Sequence, residues 1–172
     1  MVENETKKRK AGGVRKEATD SGKILRYIDE STPRDRSSDA VYVYFVDVSG
    51  ILVPRFCVQI ALKQHLNMNA FSLSAASKTV NFIVPTYQSS NINNGVAEWY
   101  DVPLNKEVYG VVQAIIKAKK AVLSIYGLKG NVSRNLSEDE IKAFQRILDG
   151  YTALGGSLNY LQVDKLPAKN KK

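Results

Sequence analysis

Cysteine and histidine are almost missing from this chain: Cys57 and His65 are the single examples of each in 172 residues. One cysteine excludes a disulfide framework, and one of each excludes a zinc site of the usual nitrogen and sulfur kind. A Cys57–His65 dyad is formally possible, but eight residues of separation across a strand end give no reason for contact. Cys57 between Phe56 and Val58 reads instead as an inert, half-buried strand residue. Long apolar runs are absent too. None approaches the ~18 residues that cross a bilayer, so no membrane span is expected. No apolar segment follows the first charges, as a signal peptide requires. The protein is therefore expected at the cell envelope or outside the cell if a signal has been removed, and in the cytoplasm otherwise.

Phosphate loops and nucleophile elbows are also lacking. GLKGN at Gly127–Asn131 has no Lys-Ser/Thr ending, and SGK at Ser21–Lys23 has no upstream glycines. No Gly-x-Ser-x-Gly occurs. These absences remove the motifs by which most small hydrolases and nucleotide enzymes are recognised, and no metal or cofactor is expected.

What is present is an ordinary globular composition, 44% hydrophobic and 24% charged, in a length that suits one domain with a real core. The net charge of +8 is concentrated at the ends. Lys7, Lys8, Arg9, Lys10, Arg15 and Lys16 outnumber Glu3, Glu5 and Glu17, while Lys165, Lys169, Lys171 and Lys172 outnumber Asp164. Residues 1–20 are expected to be a disordered basic tail and 161–172 a basic C-terminal tail. The Lys7–Lys10 cluster could touch nucleic acid or an anionic surface, or simply be solvated. Residues 21–39 hold a short element, ILRYI, and a turn-rich linker, so the domain proper is expected over 40–160.

Strand patterns come first within it. AVYVYFVDV (Ala40–Val48) is apolar on both alternating faces and suits a central strand. RFCVQIAL (Arg55–Leu62) alternates Phe56, Val58 and Ile60 against Arg55, Cys57 and Gln59. AFSLSA and TVNFIV flank a turn at Ala75–Lys78, residues 87–95 read as a loop, and VAEWYDV returns to a strand.

Helices follow. Asn105 can cap one that carries Val108, Val111, Val112, Ile115 and Ile116 on one face and ends at Lys117, Lys119 and Lys120. AVLSIYG then reads as a strand with Leu123 and Ile125 on one side. After a polar turn, Ser137 and Glu140 form a capping box, flanked by the staple pair Leu136 and Ile141. The apolar series Ile141, Phe144, Ile147, Leu148, Tyr151 and Leu154 runs to a stop at Gly155-Gly156. Glu138, Asp139 and Glu140 in the first turn are cap chemistry rather than a metal cluster. Strands grouped ahead of helices give an α+β fold: a mostly antiparallel sheet with two C-terminal helices packed on one face.

Three carboxylates could do acid–base work. Asp47 is either a perturbed acid inside an apolar strand or, the preferred reading, the strand's wet end. Glu98 and Asp101 fall on opposite faces of a regular strand, which argues against a glycosidase-type pair. The aromatics remain. Tyr42, Tyr44, Tyr87, Tyr100, Tyr109 and Trp99 either pack the sheet or present rigid, amphipathic rings to a partner. On the second reading Tyr87, Trp99, Tyr100 and Asp101 are the candidate binding residues, and the sheet face away from the helices is where a partner would lie.

The segments EWYDVPLNKE, AKK, AVLSIYG and SEDEIKAFQRILDGYTALGG resemble the C-terminal half of small, poorly characterised domains of Bacteroides-type secreted proteins and lipoproteins. The resemblance covers residues 96–156, with a weaker echo over 40–85. It implies an envelope setting and brings no catalytic residues. Those domains carry a lipobox ahead of the fold, which this sequence does not show. The expectation is a non-enzymatic binding module for a protein or glycan, the alternative being nucleic-acid or anionic-surface binding through the basic tails.

Overall fold

Ten strands and two helices make up the computed structural model, which describes residues 12–19 and 22–162. The strands are β1 (Val14–Thr19), β2 (Ile24–Asp29), β3 (Ala40–Val48), β4 (Ile51–Leu62), β5 (Met68–Ala75), β6 (Lys78–Ile83), β7 (Gln88–Ile92), β8 (Gly95–Pro103), β9 (Val122–Gly127) and β10 (Gly130–Asn135). The helices are α1 (Lys106–Ala118) and α2 (Glu138–Ala153). The strands form two sheets, antiparallel throughout: six strands in the order β1-β2-β3-β4-β8-β7, and four in the order β10-β9-β5-β6. The α+β architecture with C-terminal helices is as expected, but the single sheet has become two.

One core joins the two sheets and both helices. Val41, Val43 and Phe45 of β3 and Phe56, Val58 and Ile60 of β4 point into it. Phe71 and Leu73 of β5 and Leu123 and Ile125 of β9 meet them. Ring contacts mark the seam: Phe71 lies 6.1 Å from Phe56, 6.2 Å from Tyr100 and 4.7 Å from Phe82 between centroids. Helix α1 packs on β5 and β6, while α2 packs on β1, β2 and β3. Phe45 is stacked on Tyr27 at 4.7 Å and meets the edge of Tyr151 at 5.5 Å, joining β2, β3 and α2.

Local signals fixed the helix ends. Asn105 Oδ1 accepts the Val108 N–H at 2.9 Å. Ser137 Oγ accepts the Glu140 N–H, and the Glu140 carboxylate accepts the Ser137 N–H, completing the box. Lys119 ends α1 in the left-handed region, with its N–H on the Ile115 carbonyl. Pro54 sits inside β4, a position that normally costs a ladder bond. Its carbonyl accepts the Leu104 N–H, so its missing donor lies on the same side, where β8 ends at Pro103. The loss is confined to the one reciprocal bond at the end of the β4–β8 ladder.

Several expected boundaries are corrected. Among the described residues the sheet begins at Val14, ahead of residue 40: β1 and β2 extend the six-stranded sheet through the β2–β3 pairing. Their charged residues Arg15, Glu17 and Arg26 hide the alternation that would have marked them as strands. The Tyr87–Gly95 stretch is not a loop throughout, because Gln88–Ile92 pairs with Gly95–Trp99 as a hairpin. The polar turn after β9 contains β10, paired along all of β9. Both are polar edge strands, for which pairing rather than sequence pattern decides the conformation. At the other end Leu161, placed in a tail by the sequence, is buried in the core. Lys7–Lys10 and residues 163–172 lie outside the described residues. No helix is long and apolar enough to cross a membrane among the described residues.

Candidate binding face on the six-stranded sheet

The period of two sends alternate residues of the six-stranded sheet away from the helices. From β1 come Arg15 and Glu17, from β2 Arg26 and Ile28, from β3 Tyr42 and Tyr44, from β4 Arg55, Cys57 and Gln59, and from β8 Trp99 and Asp101, following the strand register. Ile28, Ala40, Tyr42, Tyr44 and Cys57 form a second, smaller apolar cluster here, with Val46 and Trp99 against it.

The segment 30–39 folds back over this cluster and is tied down by side chains. Arg15 Nη1 donates to the carbonyls of Asp29, Glu30 and Thr32. Gln59 Nε2 donates to Asp35 O at 3.1 Å and Ser38 O at 2.7 Å. Arg36 reaches back from the segment: its Nη1 donates to Gln59 Oε1 at 2.6 Å and to the Tyr42 hydroxyl at 3.1 Å, with Cys57 Sγ at 3.4 Å. Its guanidinium lies 4.4 Å from the Trp99 ring centroid, a cation–π contact worth ~1 kcal/mol where partly desolvated. Beside it Asp101 accepts from Tyr44 Oη at 2.6 Å and from Arg55 Nε at 2.8 Å.

Arg36, Tyr44, Arg55, Gln88, Trp99 and Asp101 line an open cleft of about 440 Å³. The Trp99 indole N–H donates to Gln88 Oε1 at 2.6 Å, which fixes the ring plane. This arrangement offers a rigid ring, fixed donors and one carboxylate to a ligand. That carboxylate, Asp101, is already engaged by the Tyr44 hydroxyl and Arg55 Nε. Burial, with the nearby Cys57 adding to it, pushes the Tyr42 phenol well above its ordinary range. Burial and the Asp101 charge do the same for Tyr44. Burial first, then Asp101, raises the Cys57 thiol, so the sulfur stays protonated and inaccessible at neutral pH.

No family model, curated protein or solved structure matches this chain.

The four predicted binding residues divide between two places. Trp99 and Asp101 share the outer face, as period two requires. Tyr87 and Tyr100 pack against the main core, with the Tyr87 hydroxyl donating to Asn67 Oδ1 at 2.9 Å, and Tyr100 also lines the Trp99 cleft. Arg26, Arg36, Arg55 and Gln59 were missed as site residues. The alternation of Arg55 and Gln59 with Cys57 was the signal available for two of them, whereas Arg36 in a turn-rich segment gave none.

The remaining candidates resolve as structure. Glu98 is fully buried on the core side, and its two oxygens accept the N–H groups of Leu66, Asn67 and Met68 at 2.9–3.0 Å, with His65 Nδ1 at 3.0 Å. It is the anchor of the β4–β5 connection, and it draws His65 away from Cys57. Asp47 accepts the Gly50 N–H at 2.7 Å and closes the β3–β4 hairpin at its wet end. No group of three or more potential metal ligands occurs among the described residues. A larger groove of about 840 Å³ runs between the end of α1 and the start of α2, with Ile116, Leu136 and Ile141 in its walls and Lys119, Lys120 and Lys142 among its polar groups. Its cations are flexible lysines, so it holds no preset geometry for a ligand.

Proposed function

We propose that this chain is a non-enzymatic binding module that meets its partner with the outer face of the six-stranded sheet, and that it works at the cell envelope. The observation that carries the reading is the Trp99 cleft: one indole ring, held by Gln88 and stacked by Arg36, beside the Tyr44–Asp101–Arg55 triad. A planar apolar ring flanked by fixed donors and acceptors suits a polar, hydroxyl-rich ligand, because the ring takes the C–H face and the side chains take the hydroxyls. A glycan is therefore the partner class favoured here. The envelope setting is supported by the resemblance carried by residues 96–156 alone.

A glycan panel probed with the full chain and with W99A tests this. The wild-type chain is expected to retain a subset of glycans and W99A to lose them, with the same melting temperature for both within a few degrees. Retention that W99A leaves unchanged, or no retention on any glycan, overturns the reading.

A further inference from the structure

Next to the Trp99 cleft, and sharing Arg36 with it, lies a smaller cavity of about 110 Å³. It is lined by Arg15, Arg26, Arg34 and Arg36, the carboxylates Glu17 and Asp35, and the polar ends of Tyr42 and Gln59. We propose that this cavity is an oxyanion site that takes the tetrahedral phosphate or sulfate group of a ligand, with Arg26 as its principal donor. The inference rests on the reading of the outer face as a binding surface.

Three observations converge on it. Arg26 Nε is buried and has no hydrogen-bond partner, a state shared among the described residues with Arg134 Nε, so no structural bond of that nitrogen has to be displaced by a ligand. Its guanidinium carbon lies over the Tyr44 ring, 4.9 Å from the centroid, a cation–π contact that restrains the group before a ligand arrives. Second, the two carboxylates in the wall are already engaged. Glu17 Oε1 accepts from Arg15 Nε at 2.6 Å, with Arg34 4.0 Å away, and Asp35 Oδ1 takes the Ser37 N–H and hydroxyl. Four guanidinium groups against two paired carboxylates leave the cavity positive. Third, the size fits. On the measure by which one water needs roughly 10–15 Å³, the space admits one tetrahedral oxyanion together with several waters.

Arg15 and Arg36 cannot take the principal role, because both hold segment 30–39 through carbonyls and Gln59. Arg26 has no such duty. It can therefore be changed without untying the segment, and a planar, bidentate donor is the type that phosphate and sulfate recognition favours.

The test is an NMR titration of the full chain with inorganic phosphate and, separately, with inorganic sulfate at low ionic strength, following the Arg26 Nε–Hε resonance. A saturable shift at that resonance in the millimolar range is expected. R26Q is expected to weaken binding at least tenfold, and R26K to recover only part of it because a lysine lacks the fork. A preference for phosphate over sulfate, or the reverse, decides which ester the natural ligand carries. W99A is expected to lose glycan retention and keep the phosphate shift, so failure of the cleft and failure of the oxyanion site give different results. An Arg26 resonance that does not move while the lysine tails do, or binding undiminished in R26Q, overturns the site. If R26Q unfolds, the wild-type resonance alone decides.

Discussion

Asp29 and Arg146, 117 residues apart, form a two-pronged ion pair: Nε meets Oδ2 at 2.7 Å and Nη2 meets Oδ1 at 2.9 Å. The pair ties the end of β2 to the middle of α2, and Ser31 adds its N–H and hydroxyl to the same carboxylate. Burial by itself would raise the Asp29 carboxyl, but the hydrogen bonds from Arg146 and Ser31 outweigh it and hold it below its usual value. A carboxyl depressed in the folded state contributes stability above its unfolded pKa, about 4, and loses it as pH falls through the folded value. Glu140, depressed in the same way by Arg134 and two backbone N–H groups, titrates in the same window. R146Q is therefore expected to lower the melting temperature at pH 7 and to narrow its difference from wild type below about pH 3. Melting curves across pH 2–7 check this; a difference that stays constant over the whole range would contradict it.

Removing the Glu98 carboxylate strands three buried or half-buried backbone donors at once. E98A is expected to cost about 3–5 kcal/mol, the size seen when one side of a buried charged network is deleted. E98Q, which keeps one acceptor, is expected to fall between E98A and wild type. H65A removes only a half-exposed partner and is expected to stay within ~1 kcal/mol. Chemical denaturation of the three variants ranks them.

Gly127 closes β9 against the β4–β5 connection so tightly that a Cβ there would stand 2.3 Å from the Leu66 carbonyl oxygen and 2.9 Å from that of Asn67. Both obstacles are backbone and cannot rotate away. G127A is expected to destabilise by at least about 2 kcal/mol, where an alanine in open space would be neutral or better. G150A, in helix α2 with no positive φ and only ordinary van der Waals contacts around the added Cβ, serves as the comparison.

Arg36 holds segment 30–39 on the sheet through Gln59, Tyr42 and Trp99 together. R36Q is expected to raise amide exchange at least tenfold over residues 33–38 while leaving β3 and β4 protected. Trp99, the single tryptophan, reports the same change as a shift of its emission to longer wavelength. Exchange unaltered in that segment would mean that Arg15 and Gln59 suffice.

The basic tail gives the competing nucleic-acid or anionic-surface reading its own check. Salt-dependent retention on heparin that disappears on deleting residues 1–11 and 164–172 assigns the binding to the basic tails. Retention that survives loss of both assigns it to the arginine-rich outer face.

Much of the helical half was legible because its signals are local. Asn105, Ser137, Glu140 and the three-four spacing of Ile141, Phe144, Ile147 and Leu148 each act within one or two turns, and each appears in the structure where the spacing put it. The opposition of Glu98 and Asp101 was equally readable, since alternation alone decides it. The site was legible only in part. Trp99 and Asp101 follow from one strand's period, but Arg26, Arg36 and Gln59 come to the same face from three other segments, and no spacing connects them.

What this sequence determined by itself was the type of each strongly patterned element and the face on which its apolar residues lie, because burial of alternate or three-four spaced side chains is the same in any fold. Which strands share a sheet was decided only in three dimensions. β1, β7 and β10 are short and polar, and they hold their shape through hydrogen bonds to partners up to a hairpin or a whole strand away. The unpaired Arg26 donor is likewise a property of assembly. It exists because β1, β2, β3 and segment 30–39 close around a guanidinium that none of them, taken alone, would enclose.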